Sequence, residues 1–213
     1  MLEISEIVKK TEDMFDLCND HFYGGELPRP AITISPDGGR NALGWCTSKE
    51  IWVTDTDKYY ELNLCAEYLD RPMQECVETM LHEMVHFYNA LHEIEDTSNN
   101  GYYHNVKYKE TAEAHGLHVE KGPKYGFFLT SLTPAAVEWV QATYGEDAFR
   151  AARLPEGTGK GKAKSKNRSI KYTCPGCGAI IRATKEVNVY CGDCVMEFER
   201  EEKDDQGEDM HLQ

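Results

Sequence analysis

Residues 3–22 carry apolar side chains at the three- and four-residue spacing of an amphipathic helix. The positions that share this face are Ile4, Ile7, Val8, Thr11, Phe15, Cys18 and Phe22. The pattern predicts one helix across this segment, with its charged side chains facing solvent. The stretch YGGELPRP follows at 23–30, where Gly and Pro predict a turn.

Three short segments after this turn have the character of β-strands. Ala31–Ser35 alternates apolar and polar side chains, and the turn sequence PDGGRN follows it. Leu43–Ser48 and Glu50–Thr54 predict two further strands. Together the three segments predict a small sheet.

Three more helices are predicted where proline or a capping residue precedes an apolar repeat. Their predicted spans are 72–92, 105–115 and 133–144. Pro72 fits the first turn of the first of these helices, and Gly116 is typical of the residue that ends the second. Four helices beside a small sheet predict an α+β fold rather than a doubly wound sheet.

The helix predicted over 72–92 contains the sequence HEMVH at 82–86. Its apolar stripe consists of Val77, Met80, Leu81, Met84, Val85 and Tyr88. At about 100° per residue, His82 and His86 lie roughly 150° around the helix from that stripe. Both imidazoles can therefore reach one metal ion while the stripe packs into the core. Glu83 lies beside them, where it can act as general base toward a zinc-activated water.

A catalytic zinc ion usually has three protein ligands, and three residues are candidates for the third. His92 follows HExxH at the spacing of metzincins, but Asn89 stands where that group has glycine. The chain also has no methionine after Met84 until its C-terminal cysteine region, so the methionine turn of that group is missing. Glu110 could act as a carboxylate ligand, although its surroundings are weakly diagnostic. His104 opens the next predicted helix after a glycine-containing loop and is the preferred candidate.

Four of the eight cysteines form two CxxC pairs separated by 13 residues. They are Cys174, Cys177, Cys191 and Cys194. This spacing places four thiolates around one structural zinc ion, whereas disulfides would suit an exported chain. Such a short segment cannot be held together by core burial, so metal binding is expected to supply its folding energy. The other four, Cys18, Cys46, Cys65 and Cys76, are predicted to be buried, reduced thiols.

The formal charge of −14 first argues against a nucleic-acid partner, but the charge is unevenly distributed. Residues 1–152 carry −14, residues 153–196 carry +6 and residues 197–213 carry −6. The basic segment therefore leaves a nucleic-acid contact open. Its candidate phosphate-binding cations are Lys160, Lys162, Lys164, Lys166, Arg168 and Lys171.

The change in composition predicts the organisation of the chain. The expected units are a folded domain at 1–152, a basic flexible linker at 153–169, a zinc ribbon at 170–198 and an acidic disordered tail at 199–213. The sequence has no apolar run long enough to cross a membrane and no signal-peptide pattern at its start. A cytoplasmic protein is therefore expected.

Several quoted segments resemble the SprT-like (Spartan-type) zinc metallopeptidase family. They are FDLCNDHFYGGELPRPAITIS, ALGWCT, ETMLHEMVHFYN and GYYHNVKYKETAEAHGL, which together cover most of residues 10–120. One departure is His104-Asn105, where the family usually has His-Gly. The resemblance implies a zincin-like domain with His82, His86 and His104 as zinc ligands, followed by the zinc ribbon. The segment KGPKYGFFLTSLTPAAVEWV is most similar to bacterial or mobile-element members.

The resemblance also implies a function. Such a protein would be a zinc-dependent endopeptidase with one catalytic and one structural Zn²⁺, acting on proteins associated with or crosslinked to DNA. DNA would bind through the linker and ribbon. Two alternatives remain open: a DNA-associated zinc-ribbon adaptor without catalysis, and a protease with no nucleic-acid role.

Overall fold

The chain divides into two units, Met1–Gly157 and Thr158–Gln213. A computed structural model describes residues 3–38, 40, 42–99, 101–154 and 170–200. Within these residues the architecture is mixed α and β, with four α-helices and several small sheets. The α+β class predicted from the sequence is confirmed.

All four helices of the described residues lie in the first unit and agree with the predicted spans. They are α1 (Ile4–Phe22), α2 (Met73–Leu91), α3 (Val106–Ala114) and α4 (Pro134–Tyr144). The Asn105 side chain accepts hydrogen bonds from the backbone N–H groups of Lys107 and Tyr108 at 2.8 and 3.4 Å. The Thr133 hydroxyl accepts one from Ala136 at 3.3 Å. Side-chain caps therefore fix where α3 and α4 begin.

The strands of the first unit are shorter and more numerous than the sequence predicts. In chain order they are β1 (Ala31–Ser35), β2 (Gly44–Cys46), β3 (Trp52–Val53), β4 (Lys58–Tyr59), β5 (Glu61–Cys65), β6 (Thr97–Ser98), β7 (Tyr103–His104), β8 (Leu117–Gly122) and β9 (Gly126–Leu132). A single 3₁₀ turn, Ala66–Tyr68, follows β5.

The first sheet has the order β1-β5-β2, with β1 parallel and β2 antiparallel to the central strand. The strand predicted over 50–54 does not join this sheet, because β3 pairs with β4 in a separate two-stranded sheet. That part of the prediction was wrong. Trp52 and Val53 are exposed, whereas Leu62 and Leu64 of β5 are buried. Strand β5 therefore supplies the apolar face on which the sheet packs.

A second sheet has the order β6-β7-β9-β8 and is built on the antiparallel pair β8 and β9. Leu117 and Val119 of β8 are buried, while His118 and Glu120 between and after them are exposed. This alternation is typical of a half-buried strand. Strand β7 joins the sheet beside β9, which positions His104.

Helix α2 lies at the centre of the first unit. It contacts the other three helices and strands β2, β5, β8 and β9. Its predicted stripe forms the core, since Val77, Met80, Leu81, Met84 and Val85 have no exposed surface. Burial of each of these side chains contributes roughly 1.5–3 kcal/mol to the free energy of unfolding. Packing of this stripe therefore fixes the position of the helix that carries HEMVH.

The described part of the second unit is a small sheet with two cysteine turns. Its strands are β10 (Ile170–Thr173), β11 (Ile180–Ala183) and β12 (Glu199–Arg200), in the order β11-β10-β12. Among the described residues of this unit, the buried ones are Tyr172, Cys174 and Cys191. So small a core cannot stabilise a fold alone, which is consistent with a zinc ribbon.

Candidate active site

Helix α2 presents His82 and His86 one turn apart on the same face. Their ring centroids are 5.3 Å apart, and both side chains are half-buried. The apolar stripe on the other side of the helix is fully buried. The helix phase predicted from the sequence therefore separates a core face from a face that carries the two imidazoles.

Strand β7 brings His104 to the same place. The His104 ring centroid lies 5.1 Å from that of His82 and 4.9 Å from that of His86. The His86 and His104 Nε2 atoms are 3.1 Å apart. One nitrogen from each of the three residues lies within 4.8 Å of the others. The strand is held in place because the backbone N–H of His104 donates to the carbonyl of Tyr125 at 3.0 Å.

The two other candidates for a third ligand lie elsewhere. His92 is exposed at the end of α2, where its Nδ1–H donates to the Tyr88 carbonyl at 2.8 Å and its ring stacks on Tyr88. Glu110 is exposed on α3, away from the buried side of that helix formed by Tyr108 and Ala112. Neither belongs to the three-histidine cluster among the described residues.

Glu83 is buried between α2 and β2, with 7% of its surface exposed. Burial raises the pKa of its carboxyl to about 7, although the nearby His86 and a hydrogen bond from the Cys46 backbone N–H lower it. Strand β2 approaches α2 closely here. A Cβ atom on Gly44 would lie 3.2 Å from Cγ of Glu83 and 2.7 Å from the carbonyl oxygen of Asn63. The glycine of ALGWCT therefore allows the strand to reach the carboxylate.

The imidazoles are in a state suited to metal binding. Burial lowers the pKa of His82 well below its ordinary value and that of His104 to about 4, which keeps both rings neutral. Burial is the largest single influence on His86 and lowers its pKa, but the hydrogen bond to Asp96 and the negative charges of Glu83 and Asp96 together outweigh it, so the pKa is raised. Nδ1 of His104 is buried and has no hydrogen-bond partner among the described residues. Three neutral or carboxylate-paired imidazoles form a donor set that fits a metal ion such as zinc.

Two residues of this site were missed from the sequence. Asp96 accepts a hydrogen bond from Nδ1–H of His86 at 2.7 Å. Tyr108 is fully buried, and its ring centroid lies 5.0, 4.8 and 4.6 Å from those of His82, His86 and His104. It forms one wall of the cluster. The spacing of Tyr108 to Ala112 predicts a buried helix face, but no sequence signal marks Asp96.

The four C-terminal cysteines form a second cluster. Their four sulfur atoms all lie within 4.8 Å of one another, and the residues are Cys174, Cys177, Cys191 and Cys194. The backbone N–H of Cys177 donates to the Cys174 sulfur and lowers its pKa to about 7, which favours the thiolate that metals bind. The predicted ribbon residues are therefore together, as a potential metal site.

The first of the two cysteine turns depends on a glycine. Gly178 donates its N–H to the Cys174 carbonyl at 2.9 Å and has a φ of +73°. Val195 makes the equivalent bond to Cys191 at 2.9 Å with a φ of +51°. The two turns therefore have the same geometry, although only the first has the residue type that adopts it without strain.

Three of the remaining cysteines are buried, as predicted from their apolar neighbours, and the fourth is only half-buried. Cys18, Cys65 and Cys76 are buried, Cys46 is half-buried, and all four are unpaired thiols. Burial raises the pKa of Cys65 to about 12 and that of Cys76 to about 11. These thiols are therefore protonated at neutral pH, and a cysteine nucleophile is not supported.

Most of the predicted phosphate-binding cations lie outside the described residues. They are Lys160, Lys162, Lys164, Lys166 and Arg168. Lys171 is described and lies half-buried in β10, opposite Arg182 of β11. In the described part of the chain, no helix combines the length and apolar character needed to cross a membrane.

Comparison with known proteins agrees with the site. The sequence profile of the SprT-like family matches residues 11–123, which span most of α1, strands β1 to β8, α2 and α3, and end before β9. Comparisons with curated proteins and with solved structures gave no significant match. The matched segment is just over half of the chain and contains HEMVH and His104. The chain therefore belongs to the SprT-like family.

Proposed function

We propose that this protein is a zinc-dependent endopeptidase that cleaves DNA-associated proteins. The observation that carries the proposal is the meeting of His82, His86 and His104 beside the buried carboxylate of Glu83. Three histidines next to a carboxylate, with two of the histidines and the carboxylate on one helix, are typical of a hydrolytic zinc site. The central helix beside the β1-β5-β2 sheet is the arrangement that a zincin-like domain requires.

Each residue has a specific role in the proposed reaction. A zinc ion held by the three histidines would polarise the scissile carbonyl and lower the pKa of a bound water toward about 7. Glu83 takes the proton of the attacking water and delivers it to the leaving amine. The backbone N–H of Cys46 orients the Glu83 carboxylate.

A cleft of about 830 Å³ adjoins the site and suits an extended peptide. One side is formed by Cys46, Thr47 and Ser48, which continue the edge strand β2. A substrate can add to such an edge through backbone hydrogen bonds, independently of its side chains. His86 is the member of the three-histidine cluster that lines this cleft, so a peptide bound there would lie beside that histidine.

The negative charge of the cleft favours binding of a substrate that carries positive charge. Glu93, Glu95 and Asp96 line it, and no lysine or arginine is among the described residues of its lining. The surrounding domain also carries a net charge of −14 over residues 1–152. Such a field attracts lysine- and arginine-rich segments, which are common in proteins that bind DNA.

Reversing the charge of the cleft is expected to weaken cleavage of basic substrates. The double substitution Glu93→Lys and Glu95→Lys should lower kcat/KM for a lysine-rich peptide by about tenfold at low salt, with a smaller loss at high salt. Cleavage of an uncharged peptide should change little. The double substitution Glu110→Lys and Glu138→Lys, at exposed positions of α3 and α4, makes the same change in net charge and is the matched control, which should have no such effect. Equal loss for charged and uncharged peptides would contradict an electrostatic role.

The proposed function as a whole is tested by cleavage of a DNA-binding protein with and without single- or double-stranded DNA. We expect the wild-type chain to cleave faster with DNA, most strongly at low salt, because cations at 160–171 would release counterions from the phosphates. Glu83→Gln should not cleave under either condition. Binding to DNA without cleavage would instead indicate an adaptor, and cleavage indifferent to DNA would indicate a protease with no nucleic-acid role.

A further inference from the structure

A hydrogen-bond network of polar side chains lies behind the three-histidine cluster. Asp96, which is 9% exposed, accepts a hydrogen bond from Nδ1–H of His86 at 2.7 Å. The same carboxylate oxygen accepts a second bond from Nδ2 of Asn89 at 3.1 Å. Asn89 has no exposed surface, and its Oδ1 accepts a bond from the Thr111 hydroxyl at 2.8 Å. These hydrogen bonds therefore connect α3, α2 and the loop that follows α2, and the last of them is made to His86.

Asn89 also shapes the backbone at this point. Its carbonyl accepts a hydrogen bond from the N–H of Ile94 at 2.8 Å, which closes the turn at the end of α2. That turn passes through Glu93 in the left-handed conformation, with a φ of 55°. This turn reverses the direction of the chain, so that Asp96 lies alongside α2. Asn89, at the position where metzincins have glycine, thus determines where Asp96 lies.

Asp96 connects to the third histidine through its backbone. Its carbonyl accepts a hydrogen bond from the N–H of Asn105, the residue after His104, at 2.9 Å. Thr97 pairs with His104 in the β6–β7 ladder. The Asn105 side chain donates to the Glu95 carbonyl at 2.8 Å. One short loop therefore holds His86 by a side chain and the His104 segment by its main chain.

We propose that Asp96, held in place by Asn89, is a positioning residue for the metal centre. Its carboxylate fixes the His86 ring with the proton on Nδ1, so that the lone pair of Nε2 faces His82 and His104. A carboxylate in this position also makes the imidazole a stronger donor to a metal ion. Asp96 acts through His86 and does not contact substrate in this role. The proposal rests on the proposed function, because it requires the three histidines to hold a metal ion.

The test is zinc affinity of the full chain, measured by competition with a chromophoric chelator. Asp96→Ala should weaken zinc binding at the histidine site by about 10–100-fold. Asp96→Asn keeps a neutral acceptor for His86 and should bind zinc with intermediate affinity. Glu110→Ala is the control, because its side chain is exposed on α3 and belongs neither to the three-histidine cluster nor to the cleft lining among the described residues. The four-cysteine site in the same chain is an internal reference and should be unchanged.

A second measurement separates positioning from a loss of fold. Cobalt(II) bound at the histidine site should show an altered d–d absorption spectrum in Asp96→Asn at full occupancy, while the thermal midpoint of unfolding stays near that of wild type. If Asp96→Ala does not fold, Asp96→Asn carries the test alone. Zinc affinity within twofold of wild type in the folded variants, with an unchanged cobalt spectrum, would overturn the proposal. A wild-type chain that binds no zinc at the histidines would refute the proposed function and this role with it.

Discussion

Replacing Glu83 with Gln is expected to lower kcat for peptide hydrolysis by about 100- to 10,000-fold, the usual contribution of a general acid–base group. Gln keeps the size of Glu83 and can still accept the hydrogen bond from Cys46, but it cannot take a proton from water. Zinc should remain bound, because Glu83 is not one of the three clustered donors. Initial rates on a basic peptide, together with metal content, check this expectation.

The control for this variant lies on the same helix. Glu78 is half-buried on α2 and accepts a hydrogen bond from Thr130 at 3.0 Å, outside the histidine cluster. Glu78→Gln should therefore retain close to full activity. Turnover by Glu83→Gln at more than a tenth of the wild-type rate would show that another group is the base.

The same substitution has an expected effect on stability in the zinc-free chain. The pKa of Glu83 is raised in the folded state from 4.5 to about 7, so the wild-type fold loses stability as pH rises through that window. A shift of this size corresponds to roughly 3 kcal/mol. Glu83→Gln has no such loss. The free energy of unfolding of this variant, relative to wild type, should therefore increase between pH 4.5 and 7 and stay constant above pH 7.

Urea unfolding in the presence of a chelator measures this difference. Trp45, Trp52 and Trp139 are the three tryptophans of the chain, and all lie in residues 1–152, so their fluorescence reports only on that domain. Glu93→Gln, at an exposed carboxyl, is the control and should follow the wild-type pH profile. A stability gap between Glu83→Gln and wild type that does not change with pH would show that ionisation of Glu83 is not its source.

Replacing His104 with Ala is expected to reduce the zinc content from two ions per chain to one. The two remaining histidines cannot hold the ion through dialysis, whereas the four cysteines lie in a separate unit and should keep theirs. Peptide hydrolysis should be lost along with the histidine-bound ion. Mass spectrometry of the native protein and elemental analysis give the count directly.

His92→Ala is the matched control for this count. His92 was an alternative third ligand on sequence grounds, and in the fold it is exposed and bonded to the Tyr88 carbonyl. That variant should retain both zinc ions and its activity. Loss of one ion from His92→Ala, with His104→Ala unaffected, would reverse the assignment of the third ligand.

The helices could be predicted because their signals are local. The stripe from Val77 to Val85 sets the phase of α2, and capping by Asn105 and Thr133 sets where α3 and α4 begin. HEMVH then places two histidines and a glutamate by helix geometry alone. The CxxC pairs are equally local, since each places two sulfurs within a single turn. Short-range spacing therefore places the members of each pair, whereas the meeting of the pairs depends on the fold.

The parts that were missed depend on contacts between distant segments. Strand β5 is too short for its pattern to stand out, and it is defined by pairing with both β1 and β2. Asp96 is an ordinary loop acid until the turn at Glu93 brings it to His86. Asn105 stands where the family usually has glycine. Its side chain caps α3 and bonds to the Glu95 carbonyl, and these two contacts explain why asparagine suits this position.

The central claim is that the zinc-loaded chain hydrolyses peptide bonds. The most direct measurement is to incubate the zinc-saturated wild-type protein with an unfolded, lysine-rich polypeptide, with and without single-stranded DNA, and to identify new N-termini by mass spectrometry. We expect new internal termini that disappear when zinc is chelated, return when zinc is restored and are absent with Glu83→Gln. An intact polypeptide after incubation with the fully zinc-loaded chain, in both the presence and the absence of DNA, would contradict it.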